Sequence, residues 1–421
     1  MTQNILRRIL DQDSRPDPYP LYAEMRRTPV LREGDGPYVI SGFRDIERLL
    51  GDPRISSDAR NLTTAAADPL AEEAGADAGG DPGGTLPPGF LRLDPPDHDR
   101  LRRMTSRPFG PPHSPRRVHG MEAELHTVVD GLIDAIARDG DLEHIDLVHE
   151  FAYPFPVTVI CRVLGVPRED EVRFHGWAET IAASLDPDPG ESDPHARHAA
   201  SGEARLALGG YLAELIEERR RRPGEDMISQ LATADGPDGP MSPTELLTTA
   251  ALLLVAGHET TVNLITNGVL TLLRHPWALE RLRKDPGVAA PLVEELLRYE
   301  PPVQFLPHRT PLADIEVRGT RIPRGSSMWL VLAAGNRDPE QYADPERFDP
   351  DRAGLRHLGL GGGIHSCFGA PLARLETQLA LTRFAARFEE PRLLADPPPY
   401  RANAVLRGPR SLPVACAGVR P

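Results

Sequence analysis

The chain has little of several things that usually narrow a function. It has 3 cysteines in 421 residues, namely Cys161, Cys367 and Cys416, an odd and sparse set that excludes a secreted disulfide framework and suits a reducing cytoplasm. Positive charge is in deficit, with 48 Lys and Arg against 62 Asp and Glu and a net charge of -14. Such a field repels phosphate backbones and anionic lipid, which argues against nucleic acid or a membrane surface as the main partner. Lysine is absent apart from Lys284, from which nothing functional follows. Apolar runs are short: the opening Met1-Thr2-Gln3-Asn4-Ile5-Leu6-Arg7-Arg8 contains none long enough for a signal peptide or membrane anchor, so a cytoplasmic protein is expected. No flavin or nicotinamide fingerprint appears, which leaves the chain without a reductase of its own.

What is present is ordinary globular material, 40% hydrophobic and 26% charged, enough for a substantial core. Pro-rich breaks alternate with helical patterns, so the fold class expected is mainly α with small antiparallel β-sheets (α+β). Tyr38-Val39-Ile40-Ser41 reads as a strand, followed by a helix from Phe43 to Leu50. Ile315-Glu316-Val317, Thr320-Arg321-Ile322 and Ser327 to Leu332 read as one small antiparallel sheet, and Ala404 to Ala415 as a final hairpin turning near Gly408-Pro409. Two stretches without core periodicity, from Asn61 to Phe90 and from Asp186 to Arg197, read as long loops. The longest helix begins at Ser242-Pro243-Thr244-Glu245, a capping box with Pro at the first helical position, and runs to about Arg274. At 1.5 Å per residue it is roughly 48 Å long, enough to cross a domain. Its first half, Leu246 to Ala256, is nearly all apolar and is expected to be buried.

Four constellations stand out as candidate chemistry. In Gly361-Gly362-Gly363-Ile364-His365-Ser366-Cys367-Phe368-Gly369, glycines let a flat ligand approach the main chain, and an amphipathic run through Leu372, Leu375, Leu379, Phe384 and Phe388 follows at once. Cys367 would then sit at a helix N-terminus, where free N–H groups and the helix dipole stabilise a thiolate. A buried structural thiol has the same local look; a zinc site lacks nearby partners, and a dinucleotide loop lacks its third Gly. In the long helix, Ala256-Gly257-His258-Glu259-Thr260-Thr261 makes a polar notch in an apolar wall, or a face turned to solvent. Glu295-Leu296-Leu297-Arg298 places an acid and a base at i and i+3, a pairing that is usually solvated. Asp94-Pro95-Pro96-Asp97-His98 opens a helix that puts His98 and Arg102 one turn apart, and Arg309 follows the Pro-rich stretch Val303 to Pro307. Each of these cations, taken singly, also suits an exposed surface.

In this order and at these separations the segments resemble the soluble bacterial branch of the cytochrome P-450 superfamily. The resemblance runs from Pro18-Tyr19-Pro20-Leu21-Tyr22 to Arg410-Ser411-Leu412-Pro413 and includes Gly335-Asn336-Arg337-Asp338-Pro339 and Pro345-Glu346-Arg347-Phe348. It implies a single heme-thiolate domain over residues 1–421, with the long helix crossing the domain over heme b, Cys367 as the metal ligand, and Ala256, Gly257, Gly361 and Gly369 against the cofactor. His98, Arg102, Arg309 and His365 would bind the propionates. Glu259 and Thr260 would be catalytic, handling protons and water, while Glu295, Arg298 and Arg347 would form a structural triad. Val303, Phe305 and Leu306 would line the substrate pocket.

The implied reaction is hydroxylation or epoxidation of a lipophilic small molecule with O2, as a tailoring step on a polyketide, terpenoid or steroid-like metabolite. A peroxygenase or coupling enzyme, a non-catalytic recruitment domain of similar fold and, remotely, a Cys367 hydrolase are the alternatives. A monomer served by a separate ferredoxin and its reductase is implied, with the ferredoxin drawn to Arg100, Arg103, Arg107 and Arg116. Two departures from the family pattern stand out. Leu360 replaces the usual Phe opening the Cys loop, and Gly110-Pro111-Pro112-His113 lengthens the connection after the His98 helix.

Overall fold

The computed structural model describes residues 4–63, 89–108, 114–186, 194–234 and 238–421. Most of the Asn61–Phe90 loop, residues 187–193 of the second loop, and Gly110-Pro111-Pro112-His113 lie outside the described residues, as do the side chains of Arg116 and His258. Helices dominate, and small sheets sit beside them. Among the described residues no helix is long and apolar enough to cross a membrane.

The central helix spans Pro243–Arg274, 32 residues, and its start is set locally. Ser242 Oγ accepts from the Glu245 N–H at 3.2 Å and Glu245 Oε2 accepts from the Ser242 N–H at 2.8 Å, closing the capping box. Burial along it differs from the expectation. The continuously buried half is the second, from Thr261 onward, whereas Leu247, Ala251, Leu252 and Val255 are only partly buried and Ala256 is exposed. The polar residues of the second half tolerate burial because they bond backwards: Thr266 Oγ1 donates to the Val262 carbonyl at 2.8 Å and Thr271 Oγ1 to that of Asn267 at 2.7 Å.

Around this axis pack Pro154–Leu164, Glu171–Ala183, Pro276–Lys284, Ala289–Tyr299 and Ala370–Arg387. Together they bury one large apolar cluster. A separate cluster joins the N-terminal helices to Phe305, Trp329 and residues 404–406.

The largest sheet has the order Val30–Arg32, Tyr38–Ile40, Met328–Leu330, Leu306–Pro311, Ile55–Ser56. Tyr38–Ile40 and Met328–Leu330 run parallel, a departure from the antiparallel expectation that joins chain segments nearly 300 residues apart. The hairpin Ile315–Val317 with Thr320–Ile322 forms as expected, but Met328–Leu330 leaves it for the large sheet. The final hairpin does not form either. Pro413–Ala415 pairs instead with Ile145–Asp146 and Arg392–Leu393, while residues 404–406 are buried in the N-terminal cluster.

Candidate functional site

The cysteine loop is shaped by its glycines. Gly361 and Gly363 have φ of 67° and 62°, the left-handed region that favours glycine. A Cβ on Gly363 would fall on the Leu50 carbonyl oxygen, so the loop lies directly against the end of the Phe43–Gly51 helix. The Cys367 N–H donates to the Leu360 carbonyl at 2.9 Å. Two residues after Cys367, Gly369 caps the helix Ala370–Arg387. Burial pushes the Cys367 thiol up, and the N–H groups of Gly369 and Ala370 with the charges of Arg102 and Arg374 pull it back. The loop therefore offers a half-buried sulfur with oriented N–H donors, an environment suited to a metal-bound thiolate.

A cationic cradle borders the same loop. The His98 and His365 rings pack edge to face with centroids 4.5 Å apart. Arg102 Nη2 donates to the Ser366 carbonyl at 2.6 Å, next to Cys367. Arg309, 9% exposed, donates to the His308 carbonyl at 2.9 Å. The His308 backbone takes φ 69° where the strand register shifts, and this bulge sets the direction of Arg309. Among the described residues neither Arg102 nor Arg309 has a carboxylate partner within ion-pair distance. His98 Nε2 and both ring nitrogens of His365 are buried without a hydrogen-bond partner.

Burial, then the charges of Arg309, His98 and Arg102, lower the His365 pKa to about 3. Burial lowers Arg309 to about 10. His98 Nδ1 meets Asp99 at 2.8 Å, but the two arginines have no such partner and three histidine nitrogens are unbonded, so these four side chains from three segments fit a ligand carrying two carboxylates. Heme b, with its two propionates and an iron that takes a thiolate, matches both halves of the site.

The notch residues divide between two faces. Gly89 packs on Leu252, and the next residue, Phe90, packs on Phe368 at 6.1 Å and His98 at 6.4 Å. That contact ties the Leu252 face of the central helix to the cysteine loop. Ala256 and Thr260 follow at i+4 and i+8 on this face, and Thr260 Oγ1 donates to the Ala256 carbonyl at 3.0 Å. Gly257 turns the other way: its Cβ would lie 2.6 Å from Ile160 Cδ1, so its smallness serves the packing of Pro154–Leu164. Glu259, 3% exposed, pairs with Arg401 Nη1 at 3.1 Å.

Arg298 is fully buried and makes a two-pronged pair with Glu295, both bonds 2.7 Å. It also donates to the carbonyls of Asn336, Pro345 and Arg347. The triad needs correction in its third member. Arg347 contributes its carbonyl, while its side chain is 68% exposed and lies toward Asp349. The guanidinium near Glu295 is that of Arg352, at 3.7 Å and 11% exposed. The position two residues past Pro350 was visible in the sequence, but nothing local separates one arginine from the other. Asn336 relays the arrangement to the cysteine loop, accepting from the Leu358 N–H at 2.7 Å.

The pocket expectation is corrected at Phe305, which is 1% exposed and stacks on Trp329 at 5.6 Å in the N-terminal cluster. Its neighbour Gln304 reaches the same side, accepting from the Tyr22 hydroxyl at 3.1 Å. Val303 and Leu306 are partly buried. The arginines expected to attract a ferredoxin are not bare. Arg100 pairs with Glu245, and Arg103 and Arg107 share Asp238.

Comparison with known proteins agrees with this geometry. The family model described as Cytochrome P450 matches residues 82–287 and 288–412. The cytochrome P450 monooxygenase PikC of Streptomyces venezuelae is 40% identical over 420 residues, covering 96% of this chain and 92% of that protein. A vitamin D(3) 25-hydroxylase of Pseudonocardia autotrophica is 37% identical over 405 residues, covering 94% and 93%. Among solved structures, ligand-free CYP164A2 of Mycobacterium smegmatis superposes with a TM-score of 0.87 at 41% identity, covering 98% of this chain and 99% of that one.

Proposed function

The chain belongs to the cytochrome P450 family and is a P450 monooxygenase; from that premise we propose that it inserts one oxygen atom from O2 into a lipophilic secondary metabolite of polyketide, terpenoid or steroid-like type. The observation that carries the reading is the pairing of Cys367, in its glycine loop, with a cradle in which Arg102 and Arg309 have no carboxylate partner among the described residues and His98 Nε2 and both His365 nitrogens are left unbonded. Proteins of this family bind heme b. When bound, heme b supplies oxygen activation, which thiolate ligation favours by pushing electron density toward the iron.

In our reading the protein's own residues do the rest. Cys367 Sγ would ligate the iron as thiolate, supported by the Gly369 and Ala370 N–H groups. His98, Arg102, Arg309 and His365 would hold the propionates. Thr260 Oγ1 and the Glu259 carboxylate move protons at the oxygen-binding side, and Ala256 leaves room beside them. The apolar residues Leu252 and Val255 exclude water and favour a lipophilic substrate.

In this reading the chain acts as one domain in the cytoplasm, as a monomer. It draws electrons from a separate ferredoxin that meets the side bearing Arg103 and Arg107. Relatives whose names specify vitamin D(3) and 6-deoxyerythronolide B hydroxylation support the substrate class.

The test is to titrate a panel of macrolides, steroids and terpenoids while recording the heme spectrum, then to assay the tightest binder with O2, ferredoxin and reductase. One product oxygen derived from O2 is expected. Turnover with peroxide but not with O2 and a donor would overturn the reading in favour of a peroxygenase.

A further inference from the structure

Behind the notch, the central helix carries a second polar stripe. Glu259, Asn263 and Asn267 recur every fourth residue and so lie on one face, turned to the C-terminal segment 401–408. The contacts close a ring. Glu259 pairs with Arg401 Nη1 at 3.1 Å, the Arg401 N–H donates to the Gly408 carbonyl at 3.2 Å, and Gly408 abuts Asn263, whose Oδ1 would lie 2.3 Å from a Cβ placed there. One helical turn from Asn263 back to Glu259 completes the circuit. Asn267 Nδ2 fastens the next turn, donating to the Arg407 carbonyl at 3.2 Å.

Within this ring the hydrogen bonding is incomplete. Asn263 is 0% exposed, and neither its Oδ1 nor its Nδ2 has a partner. Arg401 Nε is buried and also lacks one. A fully buried amide with both ends unbonded is rare, because its desolvation is then uncompensated. A water molecule needs two to four polar partners in a small polar space, and an acceptor and two donors are gathered here.

We propose that Asn263 and Arg401 build a binding site for ordered water behind Glu259, and that they act as positioning residues for its carboxylate. The inference rests on the monooxygenase reading above. The overall reaction, RH + O2 + 2 e− + 2 H+ → ROH + H2O, consumes two protons per turnover, with both electrons supplied by the separate donor. Water held at this site passes a solvent proton to the Glu259 carboxylate as Glu259 gives one up at the oxygen-binding side. Arg401 is 17% exposed, so its side chain touches both Glu259 and solvent. Gly408 follows as a requirement of the site, since a Cβ there would lie 2.3 Å from Asn263 Oδ1 and push the amide out of place.

The test is a crystal structure of the heme-loaded protein together with its coupling. Wild type is expected to show a water within hydrogen-bond distance of the Asn263 amide and Arg401 Nε. In Asn263→Leu that water should be gone. The fraction of reducing equivalents lost as peroxide should rise several-fold, and the solvent isotope effect on turnover should change. Arg401→Gln should behave like it, with Arg401→Lys restoring part of the coupling. Should Asn263→Leu fold poorly, Gly408→Ala reaches the same space from the opposite wall and carries the same expectations.

A dry site with the amide bonded to protein, or variants whose coupling and isotope effect match wild type, would overturn the proposal. Heme content and the carbon monoxide spectrum depend on Cys367 and should not move in any of these variants. Their absence from the wild type would instead count against the monooxygenase reading.

Discussion

At Glu294 one carboxylate meets two nitrogen partners, His357 Nε2 at 3.0 Å and Arg374 Nε at 2.5 Å. Burial alone would raise its pKa, but the hydrogen bonds from His357 and Arg374 and their charges hold it at about 2 against an ordinary 4.5. A depressed carboxylate contributes stability that is present above its unfolded value and lost as pH falls through the folded one. The contribution is therefore complete above pH 4.5 and disappears toward pH 2. Allowing for the partial exposure of both side chains, it is worth about 1–2 kcal/mol. Glu294→Gln should lower stability by that amount at pH 7 and flatten the acid limb of the unfolding curve, as followed by circular dichroism. An acid limb as steep as that of wild type would contradict the assignment.

The residues legible from sequence were those whose neighbours announce them. Cys367 stands among glycines whose positive φ shapes its loop, and Arg298 stands one turn from Glu295. Arg352, Asn263 and Arg401 were not legible, because Glu295, Gly408 and Glu259, which they meet, lie far away along the chain and nothing beside them marks the contact.

Between elements, two close approaches are decisive. Gly257 lets the central helix pack on Pro154–Leu164, with a Cβ there 2.6 Å from Ile160 Cδ1. Gly257→Ala should cost about 1–3 kcal/mol through overpacking, and Ile160→Val should return part of it in the double variant. Purely additive losses in thermal unfolding would show that the two side chains do not meet.

The buried Glu295–Arg298 pair ties Ala289–Tyr299 to the segment around Arg347. Here the two arginines separate cleanly. Arg347→Ala should stay within about 0.5 kcal/mol, since only its carbonyl is used. Arg352→Ala should cost more and loosen heme retention, because Arg352 stands 3.7 Å from Glu295 and donates to the carbonyls of Ala343 and Asp344. Equal losses from both would return Arg347 to the triad.

The helices were more legible than the sheets for a physical reason. Capping and apolar periodicity act over a few residues, as at Ser242 and Glu245, whereas strands two or three residues long take their identity from partners hundreds of positions away. Tyr38–Ile40 beside Met328–Leu330 is such a case.

Across the whole molecule, both ends of the chain serve the centre. Arg407, fully buried, donates to the carbonyls of Arg15 and Pro16 and pairs with Glu300 at the end of the Glu295 helix. The same C-terminal segment supplies Arg401 to Glu259 and Gly408 to Asn263. The N-terminal helices, the central helix and the last residues are thereby fastened around the space where oxygen and substrate would meet. We propose that this space lies between the Leu252 face and the cysteine loop, which Gly89 and Phe90 bring together. Substrate choice was the least legible part, since the long stretches Asn61 to Phe90 and Asp186 to Arg197 carry no periodicity that would fix their shape.

All of this presupposes that the Cys367 sulfur is the ligand. The most direct measurement is the carbon monoxide difference spectrum of the reduced protein, wild type against Cys367→Ala, with heme content measured on the same samples. The account predicts the thiolate-type band in wild type and its loss in the variant, together with turnover. A variant that kept both the band and the turnover would contradict it.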